Sequence, residues 1–326
     1  MLGRRVGYEF LRSHLALSAF PCERPARISS VTKILQRPDG LEVPAAVAPD
    51  SQAPLAHILF ALKHEGINLQ ILAQSLPQVP ALQIIEAFRN SPASKYIRMA
   101  AYLWEQFADR ELEGVPSAIG PYVALIDAKK YLTGRRQRNT KWRVDFNGLG
   151  SIRYCPTVER TSLITELLEK DTLQRAREFI EGLDPELLER TMSWSYLSET
   201  ESSFAIESEK PSTSKAQAFA ELLQQAHGSA PVTEDYLVEL QNLAVTNPLD
   251  HDAQFRTLQN WLRGPGRGVL GITYVPPAPG LLPELMQAIM DLVNEPPPGQ
   301  SPLVMGALAS FAFVFVHPFM DGNGRL

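Results

Sequence analysis

A mainly α protein is predicted, with one β-hairpin in its C-terminal part and a short strand pair near its middle. Three observations carry that prediction. Apolar residues recur at helical spacing through most of the chain. A continuous apolar run, Leu303 to Val316, is bracketed by prolines. A stretch of β-formers between Gly264 and Pro279 is punctuated on both sides by glycine and proline. At 326 residues the chain has room for two domains. The expected division is 1–184, a helical recognition domain with a small β element, and 185–326.

Taken in order, Pro54 to Glu65 and Leu69 to Leu76 read as helices separated by Gly66, followed by Pro80 to Arg89 and Lys95 to Phe107. Short helices around a tight turn can form a helix-turn-helix or winged unit, although helical hairpins serve many other ends. His57 and His64 share a helix face without a third ligand, so packing or surface roles are expected. Lys129 to Arg143, KKYLTGRRQRNTKWR, holds seven basic residues with Tyr131 and Trp142 among them. It could grip nucleic acid, meet an acidic protein or stay a solvated loop. Trp142, Val144 and Phe146 alternate with polar residues and suggest a strand, pairing back onto Ile152 and Tyr154 across Asn147-Gly148. Val158 to Glu209 is acidic and mostly helical, and Asp184-Pro185 makes a helix start and a domain boundary. Further helices are expected over Ser214 to Ala226, over Thr233 to Val245 and over Pro283 to Val293. Between the last two, Val269, Leu270, Ile272, Tyr274 and Val275 have strand character.

The apolar run LVMGALASFAFVFV should be a helix, with Ser301 as cap and Pro302 at its first position. Pro318 disfavours helix at His317, so the helix should stop there. Fourteen apolar or small residues fall short of a membrane span, which needs roughly 20. A helix apolar on every side is expected to be buried all round. It would then present His317 from a rigid element, directly before Pro318-Phe319-Met320-Asp321-Gly322-Asn323-Gly324-Arg325-Leu326. Gly322 and Gly324 can adopt positive φ and turn backbone N–H groups toward an anion. Arg325 offers a planar fork that matches phosphate. Asp321 is a hard oxygen ligand of the kind Mg²⁺ takes when it is shared with a nucleotide. His317, whose ordinary pKa lies near neutrality, is the natural base for a hydroxyl proton.

This ending resembles the Fic family, whose motif is His-x-Phe-x-Asp/Glu-Gly-Asn-Gly-Arg-x-x-Arg. His317, Phe319, Asp321, Gly322, Asn323, Gly324 and Arg325 match in order. The resemblance implies a Fic-type helical core with a β-hairpin flap, and a protein adenylyltransferase moving AMP from ATP to a hydroxyl of a target protein. It implies His317 as base, Asp321 as Mg²⁺ ligand, Gly322, Asn323, Gly324 and Arg325 around the phosphates, and Phe319 as the loop's anchor. Doc-like relatives that phosphorylate carry Lys where this chain has Gly324, which favours adenylyl transfer. The hairpin would be the flap that holds a target segment by strand addition, with Ile272, Thr273 and Tyr274 nearest to it. Ser203 and Glu207, four apart, resemble the Ser/Thr-x-x-x-Glu of an inhibitory helix, with Ser208 replacing the usual Gly or Asn. The motif's second arginine would fall beyond Leu326, so the Fic-like part is expected to be C-terminally incomplete. Two alternatives stay open. One is a silent Fic remnant acting as a DNA- or protein-binding module. The other is a Fic enzyme that removes AMP, with Glu207 orienting water.

Composition bounds the rest. With 44% hydrophobic and 21% charged residues, the chain has ample material for a core. A net charge of −5 argues against a surface devoted to nucleic acid. Cys22 and Cys155 form neither a disulfide framework nor a zinc pattern, so reduced thiols and a cytoplasmic setting are expected.

Overall fold

The structure is a computed structural model that describes residues 3–206, 212–213, 216–217, 219–221, 231–245 and 247–326. Helices dominate, with small sheets between them. Two compact units divide the chain, Met1–Glu159 and Arg160–Leu326. Asp184-Pro185 lies within the second unit, at the start of a long helix.

In the first unit, β1 (Arg5–Val6), β2 (Ala26–Ser29), β3 (Leu35–Arg37) and β4 (Gly40–Pro44) form a sheet in the order β1-β2-β4-β3. The β2–β4 pair is parallel and its neighbours are antiparallel. Helix α1 (Gly7–His14) follows β1. Helices α2 (Pro54–His64), α3 (Leu69–Ser75), α4 (Ala81–Asn90) and α5 (Lys95–Ala108) carry the core. Their apolar faces meet in Ile58, Ile71, Leu72, Ile84, Phe88 and Leu103, all fully buried. Pro54 opens α2, and Gly66 takes φ 95° to turn the chain into α3, where the Asn68 side chain accepts the Ile71 N–H. His57 is a core residue: Nδ1 accepts the Gly7 N–H at 3.1 Å and the ring stacks on Phe10 at 3.7 Å. Burial pushes its pKa down to about 4, and a neutral ring suits that place.

A second sheet joins β5 (Val123–Ala124), β6 (Gln137–Asn139) and β7 (Val144–Phe146) in the order β5-β7-β6. The strand through Val144 and Phe146 is present, but it does not pair with Ile152 and Tyr154. Its partners are β5, parallel, and β6, antiparallel. The Asn147 side chain explains the change. It accepts the Ile126 N–H and donates to the Ile126 carbonyl, tying the end of β7 to the chain after β5 instead of making a hairpin turn. The basic stretch is also divided. Trp142 is fully buried, packs edge-on against Phe88 at 5.0 Å and donates to Glu105 at 2.7 Å, so it offers no face to a base. Lys141 pairs with Glu105 and Arg138 with Asp145, while the Arg143 guanidinium donates to the Gly120 carbonyl.

In the second unit run α6 (Ser162–Glu169), α7 (Thr172–Glu181), α8 (Pro185–Ile206), α9 (Glu234–Ala244), α10 (Leu282–Asn294) and α11 (Pro302–Val316). The helix expected over Ser214 to Ala226 lies largely outside the described residues. Thr233 caps α9, its hydroxyl accepting the Tyr236 N–H at 3.2 Å. A hairpin of β8 (Leu262–Arg263) and β9 (Ile272–Tyr274) precedes α10. Val269 and Leu270 are not strand residues, because they belong to a 3-10 turn, Gly268–Gly271, at the hairpin's tip. Glycines at 266 and 271 let two backbones approach more closely than a Cβ would allow, and the chain turns there instead of extending.

Helix α11 has the boundaries its prolines dictate, with Pro302 in the first turn and His317 closing it in the left-handed region. It is not buried all round. Leu308, Ala312 and Val316 face inward, while Phe311 is 65% exposed and Val314 47%. Among the described helices, α10 packs along it.

Candidate active site

The site grows from the C-terminal end of α11. His317 takes φ 53° and ψ 62°, so the chain leaves the helix abruptly, and its N–H still bonds the Phe313 carbonyl at 2.8 Å. The imidazole is half-buried, and Nδ1 makes no hydrogen bond among the described residues. Burial lowers its pKa, and the Arg256 charge acts in the same direction. The nearby Val314 carbonyl and Asp321 oppose this. The net result is a ring that is neutral at neutral pH, the form that can accept a proton.

Phe319 is fully buried against Phe255, with centroids 5.5 Å apart. Asn323 closes the loop around it. The Asn323 Oδ1 accepts the Phe319 N–H at 2.9 Å, and Nδ2 donates to the Phe319 carbonyl at 2.8 Å. Both polar ends of Asn323 are thereby engaged, and its side chain shapes the loop from within. Gly322 sits at φ 86°, while Gly324 is not in the left-handed region. Only one of the two glycines uses its conformational freedom. The amides of Arg325 and Leu326 turn back onto the Gly322 carbonyl at 3.1 and 3.3 Å. The Arg325 guanidinium is buried, bonds Asp321 Oδ2 at 2.6 Å and lies 5.9 Å from the Phe204 ring of α8. Asp321 itself is 42% exposed.

Residues that the motif does not include hold this loop in place. Arg256 is 4% exposed and donates to four carbonyls: His317 at 2.8 Å, Pro277 at 2.7 Å, Leu258 at 3.1 Å and Val316 at 3.3 Å. Its own N–H bonds the Pro318 carbonyl at 2.8 Å. One side chain thus joins the end of α11, the stretch before the hairpin and the stretch after it. Asn260 donates to the Phe319 carbonyl at 2.9 Å, and Gln241 of α9 to the Asp321 carbonyl at 3.2 Å. Asp252 accepts the Met320 N–H at 3.1 Å, and burial, followed by the charges of Asp321 and Asp250, raises its pKa. Sequence reasoning passed over these four residues, which carry no motif of their own.

Tyr274 ties the hairpin to the site, its hydroxyl donating to the Phe315 carbonyl at 2.6 Å. Thr273 is exposed and bonds the Leu262 carbonyl across the pair at 3.2 Å, and Ile272 is half-buried. Ser203 is half-buried on α8, next to the Phe204 that meets Arg325. Glu207 lies outside the described residues.

A magnesium ion fits only as a shared ligand. Among the described residues no group of three or more His, Cys, Asp or Glu could hold a metal. One half-exposed carboxylate, Asp321, matches the usual magnesium arrangement of one or two carboxylates completed by water and substrate phosphates.

Residues 231–326 match the model of the Fic/DOC family. A protein adenylyltransferase Fic of Nematostella vectensis is 33% identical over 100 residues, which cover 30% of this chain and 21% of that protein. A protein adenylyltransferase Fic of Drosophila willistoni is 47% identical over 53 residues, covering 16% of this chain and 11% of that protein. A solved Fic family protein from Desulfovibrio desulfuricans G20 aligns with TM-score 0.38 at 20% identity, over 53% of this chain and 57% of that one. The match to the Fic/DOC family is thus carried by the C-terminal part of the chain, residues 231–326. It spans about a fifth or less of the length of the curated relatives that it matches.

Proposed function

We propose that this protein is an adenylyltransferase that moves AMP from ATP to a hydroxyl side chain of a target protein. The observation that carries this reading is the half-buried imidazole of His317, held at a helix end one short loop away from Gly322 and Arg325, where burial lowers its pKa. The names of the two curated relatives support the same activity. The target segment would lie along β9, near Ile272, Thr273 and Tyr274. His317 would take the proton as the hydroxyl oxygen attacks the α-phosphorus and the bond to the β-phosphate oxygen breaks, releasing pyrophosphate. Gly322, Asn323 and Gly324 would shape the bed for the phosphates, and Arg325 would turn from Asp321 to meet them. Asp321 would hold Mg²⁺, which neutralises phosphate charge when bound. Most of the acceleration would come from position and charge, with about 10²–10⁴-fold from the base. The setting we infer is the cytoplasm, where ATP is abundant; no described helix is long and apolar enough to cross a membrane.

Helix α8 fits an inhibitory role, since Phe204 lies 5.9 Å from the guanidinium expected at the phosphates and Ser203 and Glu207 keep the four-residue spacing of the inhibitory motif in the sequence. The experiment is incubation with α-labelled ATP and cell lysate. Labelled protein should appear, should vanish with His317→Ala and should increase with Glu207→Gly. Undiminished labelling with His317→Ala would remove the assigned base. No increase with Glu207→Gly would remove the inhibitory helix.

A further inference from the structure

The first unit contains a cavity of about 470 Å³ that the activity above does not use. Its size lies within the range of small-molecule sites. Three separate segments bring lysines to its rim: Lys63 from the last turn of α2, Lys95 from the start of α5, and Lys129 with Lys130 from the loop after β5. All four side chains are exposed, and none of them is in an ion pair among the described residues. Tyr96 and Tyr131 line it as well, and the Lys95 ammonium sits 4.7 Å from the Tyr96 ring centre.

The charge balance is strongly positive. Asp127 is the only acidic residue in the lining, and its carboxylate accepts the Lys129 N–H at 2.9 Å within its own turn. The N-terminus of α5 opens at the same place, and Ser94 provides no side-chain cap for it. The floor is apolar and includes Met99, Leu125 and the edge strand β5. The basic stretch seen in the sequence therefore has two fates. Arg138, Lys141 and Arg143 are taken up by internal partners, whereas Lys129 and Lys130 face the cavity.

We propose that this cavity binds a small organic phosphate, with the four ammonium groups around the phosphate and the apolar floor and tyrosine rings beneath the organic part. An isolated anion would have no use for that floor, and an apolar ligand would have no use for four unpaired lysines.

Phenyl phosphate is a suitable probe, titrated into the full chain by calorimetry at low salt, with inorganic phosphate as the bare-anion comparison. The expected result is saturable binding of phenyl phosphate, at least tenfold tighter than inorganic phosphate. The double variant Lys95→Ala/Lys129→Ala should weaken it by at least tenfold. Both positions are exposed, so the fold should survive, which circular dichroism checks. An Arg325→Ala variant should bind as the wild type does. The proposal is overturned by absent saturation, by a smaller loss in the lysine variant, by equal affinity for inorganic phosphate, or by loss of binding in Arg325→Ala. The last result would place the probe at the C-terminal loop.

Discussion

Replacing Arg256 with methionine should unfasten the site without leaving a large hole. The guanidinium donates to four carbonyls on three stretches of chain, at 2.7–3.3 Å, from a position only 4% exposed. A hydrogen bond from a charged donor contributes about 1.5–3 kcal/mol net. Four such bonds from one group do not add, because they share the same desolvation, and Arg256 itself is penalised by burial. Removing the guanidinium leaves neutral carbonyls without a donor, at about 1–3 kcal/mol for each that water does not reach. About 3 kcal/mol of the second unit's stability is therefore expected to disappear. Lysine at this position keeps the charge but has one nitrogen where arginine has three, so it should recover less than half. Hydrogen exchange read by mass spectrometry isolates the second unit from the first. Protection in the last turn of α11 and in residues 255–258 should fall together, since one side chain joins them. A loss below about 1 kcal/mol, or a loss confined to one of the two stretches, would refute the clamp.

Three other outcomes follow from the same structure. Gly322→Ala should cost at least about 2 kcal/mol, because φ 86° disfavours a side chain and a Cβ would stand 2.8 Å from Val245 Cγ2; thermal unfolding measures it. Labelling by ATP should keep its acid limb below pH 6.5, because burial lowers the His317 pKa from that ordinary value; a limb centred above it would contradict the assigned base. Glu65 gives the first unit a pH-dependent stability. Burial raises its carboxyl to about 7 from an ordinary 4.5, so the folded state holds the proton more tightly. That contribution is complete below the ordinary value and is lost as pH rises through about 7, amounting to about 3 kcal/mol. Glu65→Gln, which can still accept the Tyr8 N–H, should match the wild type near pH 4 and exceed it in denaturant unfolding at pH 8.5.

What could be read from the sequence follows the range of the forces involved. Prolines and helical spacing act within a few residues, so α2 to α5, α10 and both ends of α11 were legible. The sheet of β1 to β4 was not, because strands of two to five residues are too short to show a period and are held by partners far along the chain. Arg256 was invisible for a related reason. A single arginine carries no pattern, and its four acceptors are backbone carbonyls that any sequence supplies.

The loop residues show a different limit. Residue type tells what Asn323, Asp321 and Arg325 are able to hold, and all three were read as facing a ligand. Buried polar groups must be satisfied even when no ligand is bound. Asn323 satisfies itself on Phe319, and Arg325 takes Asp321. On the function proposed above, phosphate recognition by Arg325 would require the guanidinium to leave Asp321. The affinity of the loop for a phosphate would then be a difference between charge-assisted pairs, not the full strength of either. Asp321, half in water, is the more easily released of the two and loses little when it is set free. An exposed carboxylate on a buried guanidinium is accordingly an arrangement from which a phosphate can take the arginine.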